Sequence, residues 1–308
     1  MPQKRVVALG GGHGLAASLS ALKLITDQVT AVVTVADDGG SSGRLREEFS
    51  VLPPGDLRMA LSALCDDSEW GHTWRDVLQH RFAGTGPLGG HALGNLLIVS
   101  LWDLLGDTVD GLDLVGRLLN SRGRVLPMAD VPLQIEAEVA GLDGAITTIT
   151  GQHLVASTRG RVQVVRLLPA DAGSPTETRE AVRDADWVVL GPGSWFTSVL
   201  PHVLVPNLRE ELVATSARRL LNLNLAVHSD ETKGFQAADH LESLARHAPG
   251  LRIDVVLADP SSVDDETALG AAAARLGAEL VVVTVSSSAD RGRHDSLRLA
   301  AAYRDIIG

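Results

Sequence analysis

The chain has 308 residues, of which 45% are hydrophobic and only 3% aromatic, with a formal net charge of −11 at pH 7. Acidic residues spread along it repel phosphate backbones and anionic lipid, which argues against nucleic-acid and membrane partners. A core of Val, Leu, Ile and Ala suits buried parallel strands under Ala-rich helices and excludes a small β module.

The one cysteine, Cys65, offers no internal disulfide. No charged and then apolar leader pattern opens the chain, and no apolar run reaches the ~20 residues of a bilayer span. A cytoplasmic location and a single α/β domain over residues 1–308 are the expectation.

Arg5 to Leu9 reads as a short buried strand, the glycines after it as a turn, and Leu15 to Ile25 as a helix. Val29 to Ala36 is a second β-branched strand, so residues 5–36 make one βαβ unit with a right-handed crossover. From Asp56 to about Asn120 the pattern is helical, an insertion over about 56–122 in which His91 to Leu105 is the longest apolar-faced helix. Residues 132–168 alternate apolar and polar side chains and predict a small antiparallel β-ribbon, a subdomain at an edge that does not continue the parallel core. Strands then resume at 187–190, 219–225, 253–258 and 280–285, separated by helices. The fold class is α/β, a Rossmann-like, open and mostly parallel sheet with helices on both faces.

Candidate binding residues fall at the strand ends. Gly10, Gly11, Gly12, His13 and Gly14 join the first strand to its helix, where missing Cβ atoms let backbone N–H groups approach a phosphate. The spacing lacks the G-x-G-x-x-G fingerprint and any Gly-Lys-Ser/Thr ending, which excludes a P-loop and argues against a conventional NAD site. Asp37, Asp38, Gly39, Gly40, Ser41, Ser42, Gly43 and Arg44 follow the second strand. There a carboxylate can accept from sugar hydroxyls or hold a phosphate-bound metal, while amides, hydroxyls and Arg44 receive phosphate oxygens. Gly191, Pro192, Gly193 and Ser194, with Thr197 and Ser198 one turn on, repeat the strand-loop-helix signal in the second half. Two such loops at one sheet edge point to a shared anion site.

Other candidates carry two readings each. Gly55, Asp56 and Arg58 lie at a helix entry where Asp56 either caps the helix or meets ligand, and where Arg58 points outward. His91 and Asn95 at i, i+4 spacing share one helical face and either share a ligand or are satisfied internally. Asn224 closes a later strand, and Phe235 either stacks on a base or packs at a helix start. No zinc-ligand spacing and no G-x-S-x-G elbow is present.

At these residues the chain resembles the YvcK family, also called the gluconeogenesis factor family, among the CofD-like relatives of 2-phospho-lactate transferases. The resemblance runs from about residue 5 to 306. It is carried by VADDGGSSGRLR at 35–46, LPPGDLR at 52–58, GHALGN at 90–95, LGPGS at 190–194, and NL and ETKGF within 224–235. His13, Met59, Val227 to Asp230 and Ser296 depart from the common pattern.

The resemblance implies a CofD-like Rossmann fold and binding of a UDP-sugar such as UDP-N-acetylglucosamine. It also implies a role in cell shape and wall synthesis during growth on gluconeogenic carbon. A homo-oligomer and a regulatory protein of the cell wall are the expected macromolecular partners. The family's loops fall on Gly10 to Gly14, Asp37 to Arg44 and Gly191 to Ser198. With no identifiable nucleophile or base pair, a binding protein without resident cofactor or metal is favoured over an enzyme. The alternative is a transferase moving a phospho-lactyl group onto a deazaflavin, with Asp37 or Asp38 holding Mg²⁺ against a diphosphate.

Overall fold

The structure, a computed structural model, describes residues 3–141, 144–225, 230–290 and 292–308. Val227 to Ser229 and the side chain of Asp230, where the sequence departs from the related pattern, lie outside the described residues.

The chain opens with β1 (Val6–Gly10), α1 (Gly12–Leu22) and β2 (Val29–Val33). Five helices follow: α2 (Gly40–Phe49), α3 (Pro54–Leu64), α4 (Glu69–Gln79), α5 (Leu93–Leu105) and α6 (Thr108–Leu118). Next come β3 (Arg124–Pro127), β4 (Gln134–Ala140), β5 (Ile146–Thr150), the short α7 (Gln152–Ala156) and β6 (Arg161–Leu168). The second half runs α8 (Thr176–Asp184), β7 (Trp187–Leu190), a π-helical turn (Trp195–Val199), α9 (Pro201–Leu204), α10 (Pro206–Ala214) and β8 (Arg218–Asn222). It ends with α11 (Ala237–His247), β9 (Val255–Ala258), α12 (Glu266–Leu276), β10 (Glu279–Val282) and α13 (Ser296–Ile307).

Seven strands form one parallel sheet in the order β10-β9-β8-β7-β1-β2-β3. From β1 the chain steps outward through β2 to β3, then returns to the other side of β1 and steps outward again from β7 to β10. The reversal lies between β1 and β7, where Val6 pairs with Trp187 and Leu9 with Leu190. Helices leaving the two strands therefore diverge and open a crevice at their carboxyl ends. Seven of the eight β1 and β2 positions from Val6 to Leu9 and Val29 to Val32 are fully buried apolar residues, as a sheet covered on both faces requires.

Residues 132–168 make a three-stranded antiparallel sheet of their own, ordered β5-β4-β6, rather than an edge of the parallel sheet. Ile135, Ala137 and Val139 of β4 and Val162, Val165 and Leu167 of β6 turn into the same hydrophobic core as β1 and β7. Glu136, Glu138 and Arg166 form ion pairs on the other face. No described helix is long and apolar enough to cross a membrane.

Three local expectations need correction. The helix predicted from His91 begins at Leu93, because Ala92 is extended and bridges Arg81, while the His91 carbonyl accepts from Phe82 N–H and its own N–H goes to Leu88. Asp56 is not the cap of α3: Pro53 takes that place, with Pro54 at the first helical position, and Asp56 sits in the first turn. Arg58 points inward and is 3% exposed, since the helix turns it toward α5.

Candidate functional site

The loops after β1 and β7 leave the sheet side by side. Gly191 donates its N–H to the Leu9 carbonyl at 3.0 Å, and Thr34 donates to the Gly10 carbonyl at 2.9 Å, which ties both loops to the strand ends. The approach is close enough that glycine is required: a Cβ on Gly14 would lie 2.3 Å from the Pro192 carbonyl oxygen. On Gly11 it would lie 2.4 Å from Thr34 Cγ2 and 2.5 Å from an Asp56 carboxylate oxygen.

Two adjoining cavities open between these loops. One, of about 290 Å³, is lined by Gly11, Gly12, His13, Gly14, Thr34, Asp37, Asp56, Gln152, Gly193, Ser194, Thr197 and Ser198. The other, of about 390 Å³, shares His13, Gly14, Gly193 and Ser194 and adds Ala17, Pro192, Asn224, Leu225, Arg293 and His294 among its walls. The shared residues belong to the two glycine loops, so one extended molecule can cross from cavity to cavity over backbone N–H groups and the start of α1.

The smaller cavity is polar. Its wall carries Asp37 and Asp56, and burial, followed by the Asp37 charge, pushes the Asp56 carboxyl up to about 7 against a backbone hydrogen bond from Gly12. Thr34 Oγ1 is buried there with no hydrogen-bond partner among the described residues. Among the described residues no lysine or arginine lines this cavity. Among the described residues no group of three or more His, Cys, Asp or Glu side chains can hold a metal alone. Two carboxylates completed by ligand phosphate oxygens are nevertheless a donor set that suits Mg²⁺, so Asp37 and Asp56 are the residues that fit such an ion.

The sequence-predicted residues divide into those that face the cavities and those that brace them. Gly11, Gly12, His13, Gly14, Asp37, Asp56, Gly193, Ser194, Thr197, Ser198 and Asn224 line one or both. Asn224 also clamps the second loop, accepting from Gly193 N–H at 2.7 Å and donating to its carbonyl at 2.6 Å. Gly191 lies behind them, with φ +73 and its missing Cβ 2.8 Å from the Asn222 carbonyl.

The acidic-glycine stretch is only partly a loop, since Gly40 to Arg44 form the first turn of α2. Ser41, His91, Asn95 and Arg58 meet, but none of them lines either cavity. Ser41 Oγ lies 2.9 Å from His91 Nδ1 and accepts from Asn95 Nδ2 at 3.0 Å, while Arg58 Nε donates to Asn95 Oδ1 at 2.8 Å. Arg58 also donates to Gln79. Ser42 accepts from Gly55 N–H at 3.0 Å. Arg44 turns outward to the Pro87 and Gly89 carbonyls and Asp37 accepts from Gly39 N–H. Asp38 lines neither cavity; its carboxylate accepts from the Gln152 and His153 N–H groups at the start of α7.

Phe235 is a core residue, not a base-stacking one. It is 4% exposed and meets the Phe196 and His240 rings edge-on at 5.7 and 5.4 Å. Thr34, Gln152, Leu225, Arg293 and His294 are cavity residues that sequence reasoning did not single out. Thr34, one residue past β2, whose Val33 pairs with Gly10, carried a usable signal, because strand-end positions beside the switch point face ligand. Glu231, buried near the second loop, accepts from Thr197 Oγ1, and burial pushes its carboxyl up to about 7.

Comparison with known proteins places this arrangement. The family model described as 2-phospho-L-lactate transferase CofD matches residues 6–294. A protein of Mycobacterium tuberculosis is 56% identical over 264 residues, covering 85% of this chain and 77% of its own. The gluconeogenesis factor of Bacillus subtilis is 38% identical over 267 residues, covering 86% and 82%. The chain belongs to the gluconeogenesis factor family of CofD-like proteins. A crystal structure of a UPF0052 family member from Bacillus halodurans shares its architecture, with a TM-score of 0.88, 35% identity, and coverage of 98% of this chain and 99% of that one. For a gluconeogenesis factor family member, the paired glycine loops at the β1/β7 crevice are the feature on which a functional reading rests.

Proposed function

We propose that the protein binds a nucleotide sugar, a UDP-sugar, and acts as a cytoplasmic regulator of cell shape and wall synthesis during growth on gluconeogenic carbon. The observation that carries the reading is the pair of cavities joined across Gly14 and Gly193. Phosphates rest over the two loops, and the flanking cavities take the two ends of the molecule. Arg293, at the rim of the larger cavity, supplies the cation that the smaller one lacks. In this reading the signal passes to a protein partner of wall synthesis, and neither nucleic acid nor membrane is involved.

Thermal unfolding with UDP-N-acetylglucosamine, UDP-glucose, UDP, GDP and NAD, each with and without Mg²⁺, tests it. Ligand at about 100 times its Kd stabilises the native state by roughly 2.7 kcal/mol, a readable shift. Stabilisation by UDP-sugars above the other nucleotides supports the reading, and none with any UDP compound overturns it.

One observation favours a second reading, a Mg²⁺-dependent transfer of a phospho-lactyl group to a deazaflavin acceptor. Asp37 and Asp56 face the same cavity, with no basic neighbour in its wall among the described residues. Bound Mg²⁺ would neutralise a diphosphate, with these carboxylates holding the ion and the glycine-loop amides orienting the phosphates. Metal-dependent product formation in Asp37→Asn and unaltered protein decides between the two.

A further inference from the structure

We propose that Gln152 reads the sugar half of the ligand and that Asp38 is the positioning residue that holds it at the cavity, an inference that rests on the nucleotide-sugar reading above. Gln152 is the one residue of the small antiparallel sheet and its connections to line either cavity among the described residues. It stands at the start of α7, far in sequence from both glycine loops.

What fixes it there is Asp38. One carboxylate oxygen accepts the Gln152 N–H at 2.8 Å and the other accepts the His153 N–H at 3.0 Å, across 114 and 115 residues of sequence. The corner preceding α7 is shaped for this contact. Gly151 has φ +119, a conformation that L side chains rarely adopt, and a Cβ there would lie 2.8 Å from the same Asp38 oxygen. Gly151 N–H in turn donates to the Ile135 carbonyl of β4 at 2.8 Å. The small sheet is thus fastened to the residues after β2 at the point where it offers a side chain to the cavity.

The chemistry of the two cavities assigns the ends of the ligand. Gln152 shares its wall with the Thr34, Thr197 and Ser198 hydroxyls and the Asp37 and Asp56 carboxyls, groups that pair with hydroxyls and amides. Thr34 Oγ1 is already buried without a partner among the described residues. The larger cavity has Ala17, Pro192 and Leu225 in its wall, apolar surface suited to the flat face of a base. A carboxamide that both donates and accepts fits a sugar hydroxyl or acetamido group and adds no charge. Among the described residues, the Gln152 carboxamide has no hydrogen-bond partner of its own.

The test measures Kd for UDP and for UDP-N-acetylglucosamine by calorimetry in the full chain, Gln152→Ala, Asp38→Ala and the double variant. Expected is a three- to tenfold loss for the UDP-sugar in Gln152→Ala, about what one neutral hydrogen bond supplies, with UDP affinity held within twofold. Asp38→Ala should show the same selective loss, and the double variant no more than either, because both act through one contact. Asp38→Asn, which keeps one acceptor oxygen, should recover part of it and serves if the alanine variant fails to fold. Unchanged UDP-sugar affinity in Gln152→Ala overturns the inference, as does an equal loss for UDP and UDP-sugar. Failure of the unaltered protein to bind any UDP-sugar overturns the underlying reading instead.

Discussion

Arg58 Nε donates to Asn95 Oδ1 at 2.8 Å, joining α3 to α5 across 37 residues. Both side chains are buried, and the Asn95 amide continues to Ser41 and His91. Burial, then the charge of Arg81, lowers the Arg58 pKa to about 10, with Asp56 opposing. Arg58→Ala removes the donor and leaves the Asn95 and Gln79 acceptors unmatched. A loss of about 2–4 kcal/mol in urea unfolding is expected, with Arg58→Lys in between because an ammonium lacks the planar fork. A wild-type midpoint in the alanine variant would show that the network contributes nothing.

Gly14→Ala and Gly12→Ala should separate close approach from backbone strain. At Gly14 a Cβ would press on the Pro192 carbonyl, so the two loops must part, at about 1–3 kcal/mol, and nucleotide binding should be lost. At Gly12 the space is open and only φ +58 resists, so a cost of about 1–2 kcal/mol is expected with binding largely kept. Denaturant midpoints and a UDP titration of both variants check this. Equal binding in the two would remove the case for loop-to-loop contact.

The Asp56 carboxyl, raised from its ordinary range to about 7, makes stability depend on pH. Between about pH 4 and 7 the native state holds a proton that the unfolded chain has released, so stability falls as pH rises. The contribution is fully present below about pH 4 and lost as pH rises through about 7. Asp56→Asn should flatten the slope in that window. Glu231, also raised to about 7 by burial, keeps part of it. Unfolding free energies at several pH values, unchanged in slope by the substitution, would refute the assignment.

Phe235→Ala should destabilise the fold by about 3–5 kcal/mol, since it opens a cavity among Phe196, His240 and the Arg161 guanidinium, which sits 5.5 Å from the ring centroid. The ratio of UDP-sugar to UDP affinity should stay unchanged, because the ring lines neither cavity. A selective loss of UDP affinity would return Phe235 to the site.

Apart from the edge strand β3, which sequence reading missed, the parallel sheet was legible because buried strands and their glycine exits are local patterns: β7 falls on the residues read from sequence, and β1 and β2 differ only at their ends. Helix starts were less so. His91 looks helical by its spacing to Asn95, yet its backbone is drawn off to Phe82, a contact that no local period reports. The glycine loops pointed to the cavity through chemistry any reader of the sequence can apply. Asp38 was legible as a ligand candidate but not as the anchor of α7, because its partners lie 114 and 115 residues away and its role depends on where a second sheet docks. Arg58 and Phe235 show the same limit: residue type says what a side chain can do, whereas burial decides which option is taken.

The adjacency of β1 and β7 also governs when the pocket exists. Val6 pairs with Trp187 and Leu9 with Leu190, so the strand completing the crevice leaves the ribosome long after the first glycine loop has been made. A nascent chain that ends before Trp187 holds β1, β2 and β3 but only one of the two loops. Such non-local closure is slow compared with helix formation. During synthesis the acidic and glycine-rich ends of β1 and β2 therefore wait open, and ligand can stabilise only a chain whose second half has emerged and docked.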